Sequence, residues 1–312
     1  MRFKHMLAGL ALGLAIASAP ARAAEKLTVL LDWFVNPDHA AIVVAQQGGY
    51  FARAGLDVTL IEPADPSAPP RLVAAGQGDI ALTYQPSLYE QVKEGLPLLR
   101  IGTAIATPLN CLVVLADGPV KSIADLKGRT IGYSIAGFEQ ALLATMLESA
   151  GLKLADVHLV DINFALTPAL AEAKVDAVIG AFRNFEVTEL QLAGKSARAF
   201  YPEDHGVPAY DELIYVVQKD HAGTAANAQF LDAVEAATLF TLNHPSEAWG
   251  LFIKAYPKLD DALNRQAWTD TLPRLAASPR AVDFKRYVRF GDYMKARGLI
   301  DVVEPVGKYV AQ

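Results

Sequence analysis

The feature that most constrains this chain is a rhythm in which short β-rich runs alternate with helical stretches, and the rhythm plays twice. Lys26–Leu31 (KLTVLL) reads as a strand that stops at Asp32-Trp33. Asn36-Pro37-Asp38 punctuates, and His39–Arg53 follows as a helix with Ala, Ile and Val on one face. Strands at Asp57–Ile61, Ile80–Tyr84 and Leu98–Ala106 then alternate with helices at Ser67–Ala75 and Pro86–Glu94. After Ala116-Asp117-Gly118-Pro119 the pattern restarts with a capped turn at Ser122–Leu126. Strands at Arg129–Tyr133, Val157–Ile162 and Ala177–Phe182 are interleaved with helices at Gly137–Ala150, Thr167–Ala173 and Asn184–Leu192. One further apolar strand, Leu213–Gln218, precedes a mainly helical end.

Such alternation implies parallel strands with helices on their faces, so the expected class is α/β, in two lobes. Segments near Asn110–Ala116 and Asp211–Val217 are the expected crossings between them. Lobe 1 is accordingly assigned to residues 24–110 and 217–312, and lobe 2 to 111–216. With 312 residues, 52% of them hydrophobic, the chain has enough apolar material for two cores. Two such lobes leave a cleft at the carboxyl ends of their strands, where open α/β sheets hold ligands. The residues just after strands are therefore cleft candidates: Asp32, Trp33, Tyr84, Gln85, Tyr133, Ser134, Arg183, Asn184 and Glu186.

Charge and composition remove several function classes. A net charge of −6 argues against a nucleic-acid binder. Cys111 is the single cysteine, which excludes an intramolecular disulfide framework and a CxxC redox site. The six histidines show no metal-binding spacing, and no GxSxG nucleophile elbow is present, so no metal, cofactor or catalytic residue is expected. Arg2 and Lys4, the charge-free run Met6–Ala17 and the triplet Ala21-Arg22-Ala23 together describe a secretory signal peptide over residues 1–23. The run is too short to span a bilayer, and no cysteine follows it to carry a lipid. The expected mature protein is exported, free and more acidic, since Arg2, Lys4 and Arg22 leave with the signal.

Each cleft candidate has a bland and a functional reading. Trp33 is either a core tryptophan or a flat surface on which a planar ligand stacks, and Tyr84 with Gln85 beside it is similar. Glu186 either caps a helix start or accepts hydrogen bonds from a ligand amino group, with Asp32 and Asp211 adding negative potential. Arg183 is the counterweight, able to neutralise Glu186 or to hold an anion. The turn Tyr133-Ser134-Ile135-Ala136-Gly137-Phe138 offers backbone N–H groups and the Ser134 hydroxyl to an oxyanion or carbonyl, or is a plain helix cap. His39 is the one histidine near the cleft and more naturally caps or orients than transfers protons.

Several blocks resemble a known family. Leu31-Asp32-Trp33-x-x-Asn36-Pro37-x-His39, the stretch Gln46-x-Gly48-Gly49-Tyr50-Phe51 with Gly55-Leu56-Asp57-Val58, Leu126-Lys127-Gly128-Arg129-x-Ile131-Gly132-Tyr133, Val175-Asp176-Ala177 and Gly180–Glu186 carry the likeness. They resemble the periplasmic substrate-binding proteins of ABC importers, in the SsuA/THI5-like branch that delivers thiamine pyrimidine precursors. That resemblance implies a type II periplasmic-binding-protein fold and a periplasmic monomer that hands its ligand to a membrane permease. It further implies an aromatic sandwich around an aminopyrimidine, such as formylaminopyrimidine or hydroxymethylpyrimidine, with Glu186 reading the amino edge. The ligand-binding set expected is Asp32, Trp33, Asn36, His39, Tyr84, Gln85, Ser134, Gly137, Asn184 and Glu186. The branch also contains an enzyme that builds the pyrimidine, but Thr83 and Ser87 stand where its lysine and histidine would be, and its cysteine cluster is missing. The alternative within the importer class is an alkyl sulfonate held by Arg183 and the Ser134 turn.

Overall fold

The computed structural model describes residues 23–311; the expected signal peptide lies almost entirely outside them. The first sheet is built from β1 (Glu25–Leu30), β2 (Leu56–Ile61), β3 (Ile80–Thr83), β4 (Leu98–Ile105) and β10 (Leu213–Gln218), in the order β2-β1-β3-β10-β4. β1 runs parallel to β2 and β3, whereas β10 is antiparallel to both its neighbours. The second sheet holds β5 (Asn110–Leu115), β6 (Thr130–Tyr133), β7 (His158–Asp161), β8 (Ala177–Phe182) and β9 (Ala197–Phe200), in the order β7-β6-β8-β5-β9. The two orders are the same pattern, with one antiparallel strand inserted beside the third parallel one. This is the type II periplasmic-binding-protein architecture of two α/β lobes.

Helices α1 (Ala40–Gln47), α2 (Tyr50–Arg53), α3 (Pro69–Ala74) and α4 (Gln85–Lys93) belong to the first lobe, and α5 (Phe138–Ser149), α6 (Leu166–Ala171) and α7 (Glu186–Leu192) to the second. The C-terminal helices α8 (Ala225–Asn243), α9 (Pro245–Ala255), α10 (Ala262–Thr271) and α11 (Phe284–Ala296) return to the first. The long helix expected over His39–Arg53 is three pieces. A 3-10 turn at Pro37–His39 opens it under an Asn36 cap, and the Gly48-Gly49 pair interrupts it. Among the described residues no helix is long and apolar enough to cross a membrane.

Alternation along β5 shows how the second lobe is filled. Leu112 and Val114 enter the core under α5, while Cys111 and Val113 enter the one under α6 and α7. A strand apolar on both faces must lie inside its sheet, as β5 does. The lobes join where β4 passes into β5 through Ala106–Leu109, and where the chain returns through Tyr201–Glu212. β10 pairs along its whole length in the first sheet, so the return ends before Leu213 and not at the 216/217 boundary read from sequence.

Side-chain contacts tie the lobes to each other. The Tyr293 hydroxyl on α11 meets Thr145 Oγ1 on α5 at 2.7 Å. Arg297 forms an ion pair with Glu148. Tyr84 stacks on Phe138 with ring centres 5.1 Å apart. The lobes are closed on one another.

Candidate functional site

The chain segments that follow β1, β3, β6 and β8 converge between the lobes. They enclose a slot lined by Asp32, Trp33, Asn36, Asp38 and Tyr84 from lobe 1, and by Ile135, Glu139, Leu166, Gly180, Phe182, Phe185 and Glu186 from lobe 2. The slot is tight, with a cavity volume of about 30 Å³. None of its lining residues is Lys, Arg or His.

On the lobe 1 side the chemistry centres on Asp32, 2% exposed. Its Oδ1 lies 3.0 Å from His39 Nε2, and its Oδ2 accepts the Tyr84 hydroxyl at 3.1 Å. The Asn36 N–H points at His39 Nδ1, 3.2 Å away, so the ring carries its proton on Nε2 and donates to Asp32. His39 thus stands behind the slot as a positioning residue. Burial, followed by the Asp32 charge, pushes the Tyr84 phenol well above its usual range, which keeps it a donor. Trp33 is half-buried and packs edge-on against Phe164, with ring centres 4.6 Å apart.

Two buried glutamates face these groups from lobe 2. Glu186 opens α7, and its Oε2 accepts the Phe182 N–H at 2.6 Å. Burial pushes its carboxyl up to about 8 despite that bond. Glu139, in the first turn of α5, accepts the Ser134 N–H at 2.8 Å and is likewise pushed up by burial to about 8. Room for the Glu139 carboxylate exists because residue 180 is glycine: a Cβ there would lie 2.4 Å from Glu139 Oε1, and φ of +99° already disfavours any side chain. Asp38, the fourth acid, is raised by burial to about 6, opposed by its bonds to Thr271 and Asn184 and by His39. Burial thus raises three of the slot's acids, Asp38, Glu139 and Glu186, toward neutrality among its aromatic rings.

Of the residues singled out from sequence, Asp32, Trp33, Asn36, Tyr84 and Glu186 meet in this slot. The others do not line it. The Gln85 side chain is spent on the inter-lobe return, where Oε1 accepts the Asp211 N–H at 2.7 Å. The Ser134 hydroxyl donates to the Asn163 carbonyl. Gly137 lies against the Glu90 carboxylate at the back of the cleft, where a Cβ would come within 2.2 Å of Glu90 Oε2. Asn184 acts as a clasp between lobes: its Nδ2 donates to Asp38 Oδ1 and to Thr271 Oγ1, each at 2.7 Å. Arg183 is neither beside Glu186 nor open to an anion. It donates to the Leu109 and Asn110 carbonyls of one crossing, pairs with Glu203 of the other and lies over the Tyr201 ring. Asp211 is held by Arg286 and by Thr103, away from the slot.

Asp38 and Glu139 went unremarked in the sequence because each sits in the first turn of a helix, where acids are ordinary caps. The signal that distinguishes Glu139 is the glycine at position 180, which becomes meaningful only when β8 and α5 are known to touch.

A family model described as NMT1/THI5 like matches residues 36–248. A Haemophilus influenzae protein named "Putative thiamine biosynthesis protein" is 51% identical over 94% of each chain. A "Formylaminopyrimidine-binding protein" of Halalkalibacterium halodurans is 34% identical, over 74% of this chain and 71% of that one. A "4-amino-5-hydroxymethyl-2-methylpyrimidine phosphate synthase" of Legionella pneumophila is 28% identical over 89% of this chain and 88% of its own. Among solved structures, the alkanesulfonate-binding protein SsuA of Xanthomonas axonopodis pv. citri superposes with a TM-score of 0.73 at 18% identity, covering 93% of this chain and 99% of its own. That likeness concerns the fold. By the extent of the family match and by its relatives, the chain belongs to the NMT1/THI5-like family.

Proposed function

We propose that this protein is the extracytoplasmic solute-binding component of an ABC importer and closes on an aminopyrimidine precursor of thiamine, such as formylaminopyrimidine or hydroxymethylpyrimidine. The observation that carries the reading is the lining of the slot: the aromatic rings of Trp33, Tyr84, Phe182 and Phe185, four carboxyl groups and no basic side chain. A flat nitrogen heterocycle rich in N–H donors suits it, and an anion does not. Trp33 and Tyr84 flank the ring, while Glu186 accepts from the exocyclic amine with Glu139 and Asp32 available to further donors. Asn184 joins the lobes over the bound ligand.

The sulfonate reading has lost its residues, since Arg183 and the Ser134 hydroxyl are engaged within the protein. Binding without turnover is preferred to synthase chemistry because Thr83 and Ser87 occupy the positions at which the resemblance puts the enzyme's lysine and histidine. On this reading residues 1–23 are an export signal, and the mature monomer works in the periplasm and docks on a membrane permease.

The test is calorimetric titration of the purified protein with 4-amino-5-hydroxymethyl-2-methylpyrimidine and, separately, with taurine. The expected outcome is saturable binding of the pyrimidine and none of taurine; the reverse result refutes the proposal. Mass spectrometry of the small molecule that co-purifies from the periplasm identifies the natural ligand.

A further inference from the structure

A second cavity lies beside the slot. The two share Trp33, Asn36, Leu166, Phe185 and Glu186 in their walls, so only these side chains stand between them. Against the slot's cavity volume of about 30 Å³, this vestibule has about 320 Å³, enough for a ring-sized group. Phe34, 47% exposed, stands at its edge and lies 4.6 Å from the Phe164 ring across the lobe boundary. Its ionisable side chains are all acidic. Glu186 and Glu189, one turn apart on α7, line it, and no Lys, Arg or His does. Asn264 adds a carboxamide, 3% exposed, whose Nδ2 is fixed by Asp261 and whose Oδ1 has no hydrogen-bond partner. A buried carbonyl without a donor is costly, and here it belongs to a side chain that lines the cavity.

Resting on the slot as an aminopyrimidine site, we propose that the vestibule is a subsite for a substituent on that ring, and that it selects neutral or cationic arms and rejects phosphorylated ones. Aromatic faces at Trp33, Phe34, Phe164 and Phe185, with acidic side chains and no basic one beside them, make surroundings that favour a delocalised cation, chiefly through the ring quadrupoles. A phosphate placed there meets Glu186 and Glu189 with no counter-charge. The importer therefore accepts aminopyrimidines that carry a second ring or an ammonium-bearing arm, and leaves pyrimidine phosphates behind.

Calorimetry with three probes tests this: 4-amino-5-hydroxymethyl-2-methylpyrimidine, its phosphate, and thiamine, in which a methylene joins the same ring to a cationic thiazolium. The expected order is thiamine tighter than the bare ring by about tenfold, the gain that a desolvated cation over aromatic faces provides, and the phosphate weaker than the bare ring by at least as much. In Glu189→Gln and Phe164→Ala, each checked for folding by its thermal transition, the ratio of thiamine to bare-ring affinity falls toward one. Thiamine binding no better than the bare ring, or a phosphate that binds as well, overturns the subsite while leaving the slot's assignment intact. If the bare ring itself fails to bind, the reading of the slot falls and the subsite with it.

Discussion

Replacing Glu186 by glutamine separates ligand recognition from fold, because the structure gives opposite signs for the two effects. One carboxylate oxygen, Oε2, is held by the Phe182 N–H at 2.6 Å, which leaves Oε1 for the ligand amine. A carboxylate satisfies both donors. A glutamine does not: if its carbonyl serves Phe182, its amide N–H₂ faces the ligand amine, and if it is flipped, two donors meet at Phe182. Loss of a hydrogen bond to a charged group costs about 1.5–3 kcal/mol, or about 10–150-fold in affinity for the bare aminopyrimidine. Stability moves the other way. Burial raises the carboxyl from 4.5 to about 8, so the native empty protein holds a proton that the unfolded chain gives up across that interval. The associated stability is complete below pH 4.5 and is lost as pH rises through about 8. At about 1.4 kcal/mol per pH unit, the penalty at pH 9 approaches ~4–5 kcal/mol, less whatever lobe opening relieves by hydrating the group. Glutamine has no proton to lose. Glu186→Gln is therefore expected to bind the aminopyrimidine at least tenfold more weakly at pH 7 by calorimetry, yet to melt higher than the native protein at pH 9 and close to it at pH 5. An affinity within about threefold of native, or a melting difference that is the same at both pH values, would refute the reasoning.

Binding should also move protons above the value to which burial raises Glu186: at pH 9 the empty protein has lost that proton, and if the complex shares one between Glu186 and the ring nitrogen beside the amine, binding takes it up and the observed enthalpy varies with the ionisation heat of the buffer. Identical enthalpies in borate and Tris at pH 9 would argue against this. Asn184→Ala removes both bonds of the clasp to Asp38 and Thr271, each worth about 1 kcal/mol, and is expected to shift the ligand-free protein toward an open form with a larger radius of gyration in solution scattering. An unchanged radius would mean that the remaining contacts decide closure. Trp33→Ala should weaken aminopyrimidine binding by at least about tenfold through lost stacking and burial, with little change in melting because the ring is only half-buried. A large drop in melting would assign the tryptophan to the core.

The double alternation of strands and helices was written in the chain, because a strand's two faces and a helix's apolar stripe are local patterns of neighbouring residues. From it followed the two lobes, the cleft and the idea that residues just after strands face it. Asp32, Trp33, Tyr84 and Glu186 do line one slot. Gln85, Ser134 and Asn184 do not line it, although they sit at equivalent strand ends, because polar side chains are claimed by whatever partner the fold brings near. Gln85 finds the Asp211 N–H, 126 residues away, and Asn184 finds Asp38, 146 away. Arg183 looked like an anion ligand until both crossings were seen to converge on it. The membership of β10 in the first sheet likewise arises from pairing between segments far apart in the chain, whereas the interruption at Gly48-Gly49 is local, with Gly49 at a φ of +71°.

Local sequence thus determined which elements form and in what order, since hydrophobic period and turn chemistry act over a few residues. Tertiary structure alone decided which carboxyl groups line the slot, which are spent on hinges and clasps, and how far burial raises their proton affinity. Those outcomes depend on distances between segments brought together only by folding, and on water excluded only when the lobes close.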